Sequence, residues 1–110
     1  MKRIIPETIR SVLYEARAEL VKIYSGRLRD VILFGSYARG EDEPGSDIDI
    51  ALILDHAQGF LREHERYFPV VSRLSLAHDT VLSVVPIDAD DYASRKSPLI
   101  LNIMNEGIRV

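Results

Sequence analysis

Two aspartates stand two residues apart, Asp47 and Asp49, in the run Ser46-Asp47-Ile48-Asp49-Ile50-Ala51-Leu52-Ile53-Leu54. Residues i and i+2 of a strand share a face, roughly 6.5–7 Å apart at the backbone. The two carboxylates can therefore converge on one point in front of a sheet. Like charges so placed repel, and aspartate is poor strand material. A divalent cation relieves that repulsion. Mg2+ suits the arrangement because it takes a few carboxylates, keeps several waters and fills its shell with phosphate oxygens. The plainer alternative makes both residues the wet face of an edge strand. Just upstream, Phe34-Gly35-Ser36 puts a glycine where an apolar strand breaks into a turn. Glycine lets the backbone approach a ligand closely and take positive φ. The amides and the Ser36 hydroxyl beyond it can donate to phosphate oxygens, and a short helix over 36–39 would add its dipole. Arg39 is placed to pair with phosphate through two N–H groups. The alternative here is a plain loop with a surface arginine. No lysine follows, so the Gly-x-x-x-x-Gly-Lys-Ser/Thr phosphate loop is absent, and the ordinary NTPase reading goes with it.

Elements must position these groups. From Pro6 to Tyr24, Ile9, Val12, Leu13, Ala16, Leu20 and Ile23 follow helical spacing. Pro6 suits the first turn, and Ser25-Gly26 ends the helix. Asp30 to Phe34 reads as a short buried strand. Residues 36–45 hold Gly40, Pro44 and Gly45 with Glu41, Asp42 and Glu43, a turn followed by an exposed loop. Ser46 to Leu54 reads as a strand with Asp47 and Asp49 on one face and Ile48, Ile50 and Leu52 on the other. Gly59 to His78 is helical in composition, with Pro69 in its middle. Either the helix kinks there or a second helix starts. Thr80 to Ile87 is β-branched and apolar, which predicts a strand covered on both faces. Ser97 as N-cap with Pro98 at the first position opens a last helix, and Gly107 caps its end. The order α-β-loop-β-α-β-α predicts an α/β (α+β) fold, with helices packed on a small mixed sheet.

Bulk properties narrow the class. The 110 residues suit one domain, 1–110, with one real core. Without cysteine there is neither a disulfide framework nor a thiolate metal site. The apolar start is cut short by Pro6 and is too brief for a signal sequence. Nowhere do 18 apolar residues run together, so a cytoplasmic protein with no membrane role is expected. A net charge of -3 argues against direct nucleic-acid binding. Arginines far outnumber lysines, and several are scattered over the predicted first and third helices, as solvated faces or, alternatively, as a basic surface for an anionic ligand. His56, His64 and His78 lack ligand spacing. No Gly-x-Ser-x-Gly elbow supports a serine hydrolase. Tyr14, Tyr24, Tyr37, Tyr67 and Tyr92 form no stacking pattern for RNA, although Tyr37 lies close enough to the glycine turn to stand near a nucleotide or on a plain loop.

Taken together, Gly35-Ser36-Tyr37-Ala38-Arg39-Gly40 followed by Asp47-Ile48-Asp49 is far more specific than its parts. It resembles the signature of the DNA polymerase beta-like nucleotidyltransferase superfamily, above all its minimal nucleotidyltransferase (MNT) members, which often act as antitoxins beside a HEPN-domain partner. The closing stretch Ser97-Pro98-Leu99 to Glu106-Gly107 is similar too, so the likeness spans nearly the whole chain. The resemblance implies a palm-like nucleotidyltransferase fold. It implies Gly35 and Ser36 as triphosphate contacts, and Asp47 and Asp49 as catalytic ligands of one or two Mg2+ ions. Arg39 is either a triphosphate contact or a brace for the loop. ATP or another NTP would be the substrate, and a hydroxyl on a HEPN-type partner the acceptor.

One departure stands out. The family usually supplies a third carboxylate from a later strand, and the polar residue at the centre of Val81-Leu82-Ser83-Val84-Val85 is Ser83. A hydroxyl is a poor general base. Asp79 lies four residues back, roughly 13 Å along a strand, and Asp88, Asp90 and Asp91 read as loop or turn-capping residues. Nucleotide binding is untouched by this change, but turnover is not. The expectation therefore divides between an enzyme and a catalytically weak module that neutralises a partner by contact.

Overall fold

The computed structural model describes residues 5–110; Met1 to Ile4, the first part of the stretch read as too short for a leader, lie outside the described residues. Helix α1 (Glu7–Tyr24) buries Ile9, Val12, Leu13, Ala16 and Leu20, the stripe its spacing sets out. Pro6 stands just ahead of it rather than inside the first turn, and its carbonyl accepts the Ile9 and Arg10 amides. A 3-10 turn (Ser25–Arg27) leads into β1 (Leu28–Phe34), then come α2 (Ser36–Arg39), β2 (Ile48–Leu54), α3 (Phe60–Ala77), β3 (Leu82–Asp88), α4 (Ala89–Ala93), α5 (Pro98–Glu106) and β4 (Ile108–Arg109).

The described strands form one mixed sheet in the order β3-β2-β1-β4. β1 is antiparallel to β2 and β4, whereas β2 and β3 run parallel. Period-two alternation sends side chains to two cores. Val31, Leu33, Ile48, Ile50, Leu52 and Leu82 face α1 and α3. Ile32, Ala51, Ile53 and Ile87 face Ile100 and Ile103 of α5.

Three expectations change on contact with the fold. Pro69 lies inside one continuous α3, so no second helix starts there. Proline removes the bond to Glu65, and both residues are exposed, where water takes up the freed carbonyl. β3 is not covered on both faces. It is an edge strand, half-buried along most of its length, and Pro86 within it is the residue type that edge strands tolerate. Gly107 does follow α5, but in extended conformation, with φ -67 and ψ 147. A Cβ at Gly107 would overlap the Ile103 carbonyl oxygen and the Ile32 side chain, so close packing of the helix end on β1 is what requires glycine. The acids after β3 do cap a turn: the Asp88 carboxylate accepts the Asp90 amide at the start of α4 and the Ala57 amide of the preceding loop. No described helix is long and apolar enough to cross a membrane.

Candidate active site

Asp47 immediately precedes β2 and Asp49 lies within it, so both point to the α5 side of the sheet, in line with Ala51 and Ile53. α5 covers Ala51 and Ile53 but stops short of the aspartates. Asp47 is exposed and Asp49 half-buried. Antiparallel pairing sets Asp49 opposite Phe34, which brings the Gly35 turn beside it.

Gly35 is buried and has φ 77 and ψ -156. That backbone region suits only glycine. The space where a Cβ would go is already taken by the Asp49 carboxylate. The glycine turn and one member of the acidic pair are therefore packed directly against each other. Ser36 opens the four-residue α2, and Arg39 ends it. The Arg39 guanidinium reaches Glu41 (2.7 Å) and Glu106 (3.0 Å), and the Gly35 amide donates to Glu106 at 2.6 Å.

Gly35, Ser36, Arg39, Asp47 and Asp49, separated by up to fourteen positions, line one open cleft of about 380 Å³. Its far wall is a single stripe of α5, Leu99, Asn102 and Glu106, at spacings of three and four. Glu106 gave no site signal in the sequence. Polar Asn102 and Glu106, four apart on a mostly apolar helix, were the available clue.

Burial, first, and the neighbouring charge of Asp47 hold the Asp49 carboxyl above its ordinary value, with Glu106 adding to the push and Arg39 opposing it. This is the electrostatic state a cation would relieve. No group of three acids or histidines is arranged to hold a metal among the described residues. Two carboxylates facing an open cleft fit Mg2+, whose remaining positions go to water and phosphate.

Ser83 is the register partner of Asp49 on the parallel strand β3 and shares its face. It is half-buried on an edge strand rather than in a core. Tyr37 turns the other way. It packs on the α1/α3 core and lines a groove of about 910 Å³ between α1 and α3, away from the cleft. That groove is the larger depression, but Asp79 is the one carboxylate lining it, and Ser46 is where it meets the cleft. The histidines are otherwise engaged: His64 packs among Phe60, Tyr67 and Phe68, and His78 bonds Glu15 at 2.6 Å.

A mixed sheet carrying a glycine turn against an acidic pair defines a class of domain that works on nucleoside triphosphates. The Nucleotidyltransferase domain family matches residues 13–102, and this chain belongs to it. Members use an NTP and typically a divalent metal. A Methanocaldococcus jannaschii protein, MJ0141, whose name puts it forward as a protein adenylyltransferase, is 36% identical over 74 residues, 67% of this chain and 74% of its own. The fold is shared with a toxin–antitoxin crystal structure containing AMP-PNP, at a TM-score of 0.57 and 22% identity over 86% of this chain and 68% of that one. It is shared as well with the complex of tri-AMPylated Shewanella oneidensis HEPN toxin and MNT antitoxin, at a TM-score of 0.50 and 18% identity over 89% of this chain and 70% of that one.

Proposed function

We propose that this domain transfers a nucleoside monophosphate, AMP in the first instance, from an NTP to a hydroxyl on a partner protein, as the antitoxin of a HEPN/MNT-type pair. The packing of Gly35 against Asp49 carries the reading, because it brings a phosphate-sized turn and a cation-seeking carboxylate within one cleft. The Ser36 hydroxyl and the amides that open α2 hold the β- and γ-phosphates, and Asp47 with Asp49 hold Mg2+. The ion, once bound, supplies charge neutralisation at the phosphates. Arg39, already bonded to Glu41 and Glu106, acts as a brace as much as a phosphate contact. Attack of the acceptor oxygen on the α-phosphorus forms the new P–O bond. The bond from that phosphorus to the bridging oxygen breaks, pyrophosphate leaves, and the hydroxyl proton passes to solvent. The names of the relatives support this class of partner: one is put forward as a protein adenylyltransferase, and one structural neighbour is an MNT antitoxin in complex with an AMPylated HEPN toxin.

Incubation with α-labelled ATP, Mg2+ and a HEPN-type protein tests this. Label on the partner is expected. Bound triphosphate without any transferred label would reject transfer.

Ser83 favours a second reading. A hydroxyl stands beside Asp49 where the family usually has a third carboxylate, which suits a domain that binds nucleotide and neutralises its partner by contact. Ser83→Asp separates the two readings. Activity that rises in the variant marks a working pocket short of one acid, and activity that stays absent marks a vestigial one.

A further inference from the structure

Glu106 lies 71 positions from Gly35, yet one oxygen of its carboxylate, Oε2, accepts both the Gly35 amide and the Arg39 guanidinium. We propose that Glu106 is a positioning residue, which fixes the Gly35–Ser36 turn and Arg39 in the shape that receives the triphosphate. The inference rests on the reading of the cleft as a nucleotide site.

Three features of the chain support it. The Gly35 bond is short for an amide on a carboxylate, the mark of a strong charge-assisted contact. It tethers a glycine, whose backbone has more conformations open to it than any other residue, so the bond selects the one at φ 77 that the turn uses. Secondly, Glu106 rides on a rigid support. Ile100 and Ile103 anchor α5 in the core, Gly107 lets the helix end press onto Ile32, and Ile108 pairs with Leu33, two residues before Gly35. The segment 106–108 thus clamps the end of β1. Thirdly, Ser36, the next residue along the turn, lines the cleft, so a turn held at Gly35 also fixes where Ser36 stands. Glu106 is not a surrogate third metal ligand, since no three-acid cluster of that kind exists among the described residues.

Glu106→Gln keeps an acceptor oxygen for both donors, whereas Glu106→Ala removes it. Titration calorimetry with AMP-PNP and Mg2+ should find binding about tenfold weaker in the alanine variant and within about threefold of wild type in the glutamine variant. Hydrogen exchange of the Gly35 amide in the free protein needs no nucleotide. It should accelerate in Glu106→Ala and stay slow in Glu106→Gln. Equal affinity and equal exchange in Glu106→Ala would overturn the inference. So would a glutamine variant that keeps Gly35 exchange slow yet binds as poorly as alanine, because the carboxylate would then act on the nucleotide through its charge rather than by holding the turn. Should Glu106→Ala fail to fold, Glu106→Asp, one methylene too short to reach both donors, takes its place with the same two readouts. Faster Gly35 exchange and weaker binding are expected, and wild-type values in both overturn the inference. If wild type itself does not bind AMP-PNP, the nucleotide reading falls, while Gly35 exchange still judges the tether separately.

Discussion

Asp49 is under strain that the free protein cannot relieve by itself. Burial and Asp47 keep its pKa above the ordinary 3.8, and Arg39 offsets only part of the effect. A carboxyl raised in the folded state contributes stability below its unfolded value, and that contribution is lost as pH rises through the folded value. At neutral pH the ionised group therefore opposes folding. Asp49→Asn should raise the melting temperature of the ligand-free protein at pH 7 while label transfer falls on the order of a thousandfold. A lower melting temperature would show that Asp49 is structural rather than poised. At Gly35 the forces run the other way. Gly35→Ala adds a Cβ at positive φ against the Asp49 carboxylate, and should cost about 1–3 kcal/mol in a urea melt as well as displacing Asp49. Wild-type stability with wild-type transfer would contradict the packing described.

Elements divide the labour between the two ends of the sheet. Phe34 pairs with Asp49 at the cleft end, and Leu28 with Leu54 at the other, where Glu63 is fully buried. Glu63 bonds Arg27 at 2.8 Å, the Gln58 amide at 2.9 Å and Arg66 at 3.2 Å, which fixes the start of α3 to the β1 and β2 ends. Burial pushes its pKa up, but the Gln58 amide and Arg27 outweigh that, and the net shift is downward from 4.5. Its stabilisation is present above the unfolded value and lost as pH falls through the lower folded one. Glu63→Ala should cost about 1–3 kcal/mol in chemical denaturation, since it leaves the Gln58 amide without its acceptor. The part-exposed Arg27 and Arg66 keep the Asp55 and His56 carbonyls and the Gln58 side chain. The folded fraction should keep its nucleotide affinity; a loss of affinity without a loss of stability would place Glu63 in the site instead.

The long elements were legible because burial imposes period and caps mark ends: α1 and the alternation of β2 follow from apolar spacing, and α5 from Ser97 and Pro98 at its start. The four residues of α2, the five of α4 and the two of β4 are too short to carry a period. β3 misled because its β-branched run matches a buried strand, while its place at the edge depends on strand order, which composition does not encode. At the site, Gly35, Ser36, Asp47 and Asp49 sit in one local motif and could be read. Glu106 meets them only through tertiary contact, and the register of Ser83 with Asp49 needed the parallel pairing to be seen.

For the molecule as a whole, a nucleotide bound in the cleft would couple to stability. Mg2+ with AMP-PNP at about a hundredfold above the dissociation constant should stabilise the fold by about 2.7 kcal/mol, and EDTA should remove the gain. The same gain in EDTA would mean that the nucleotide binds without the acidic pair. The most direct measurement is amide NMR of the labelled protein with AMP-PNP and Mn2+ in place of Mg2+. Paramagnetic broadening centred on residues 47–49, with shifts at 35–39 and 102–106, is the predicted result. Broadening centred on the groove between α1 and α3, or spread without focus over the surface, would contradict a nucleotide site built on Asp47 and Asp49.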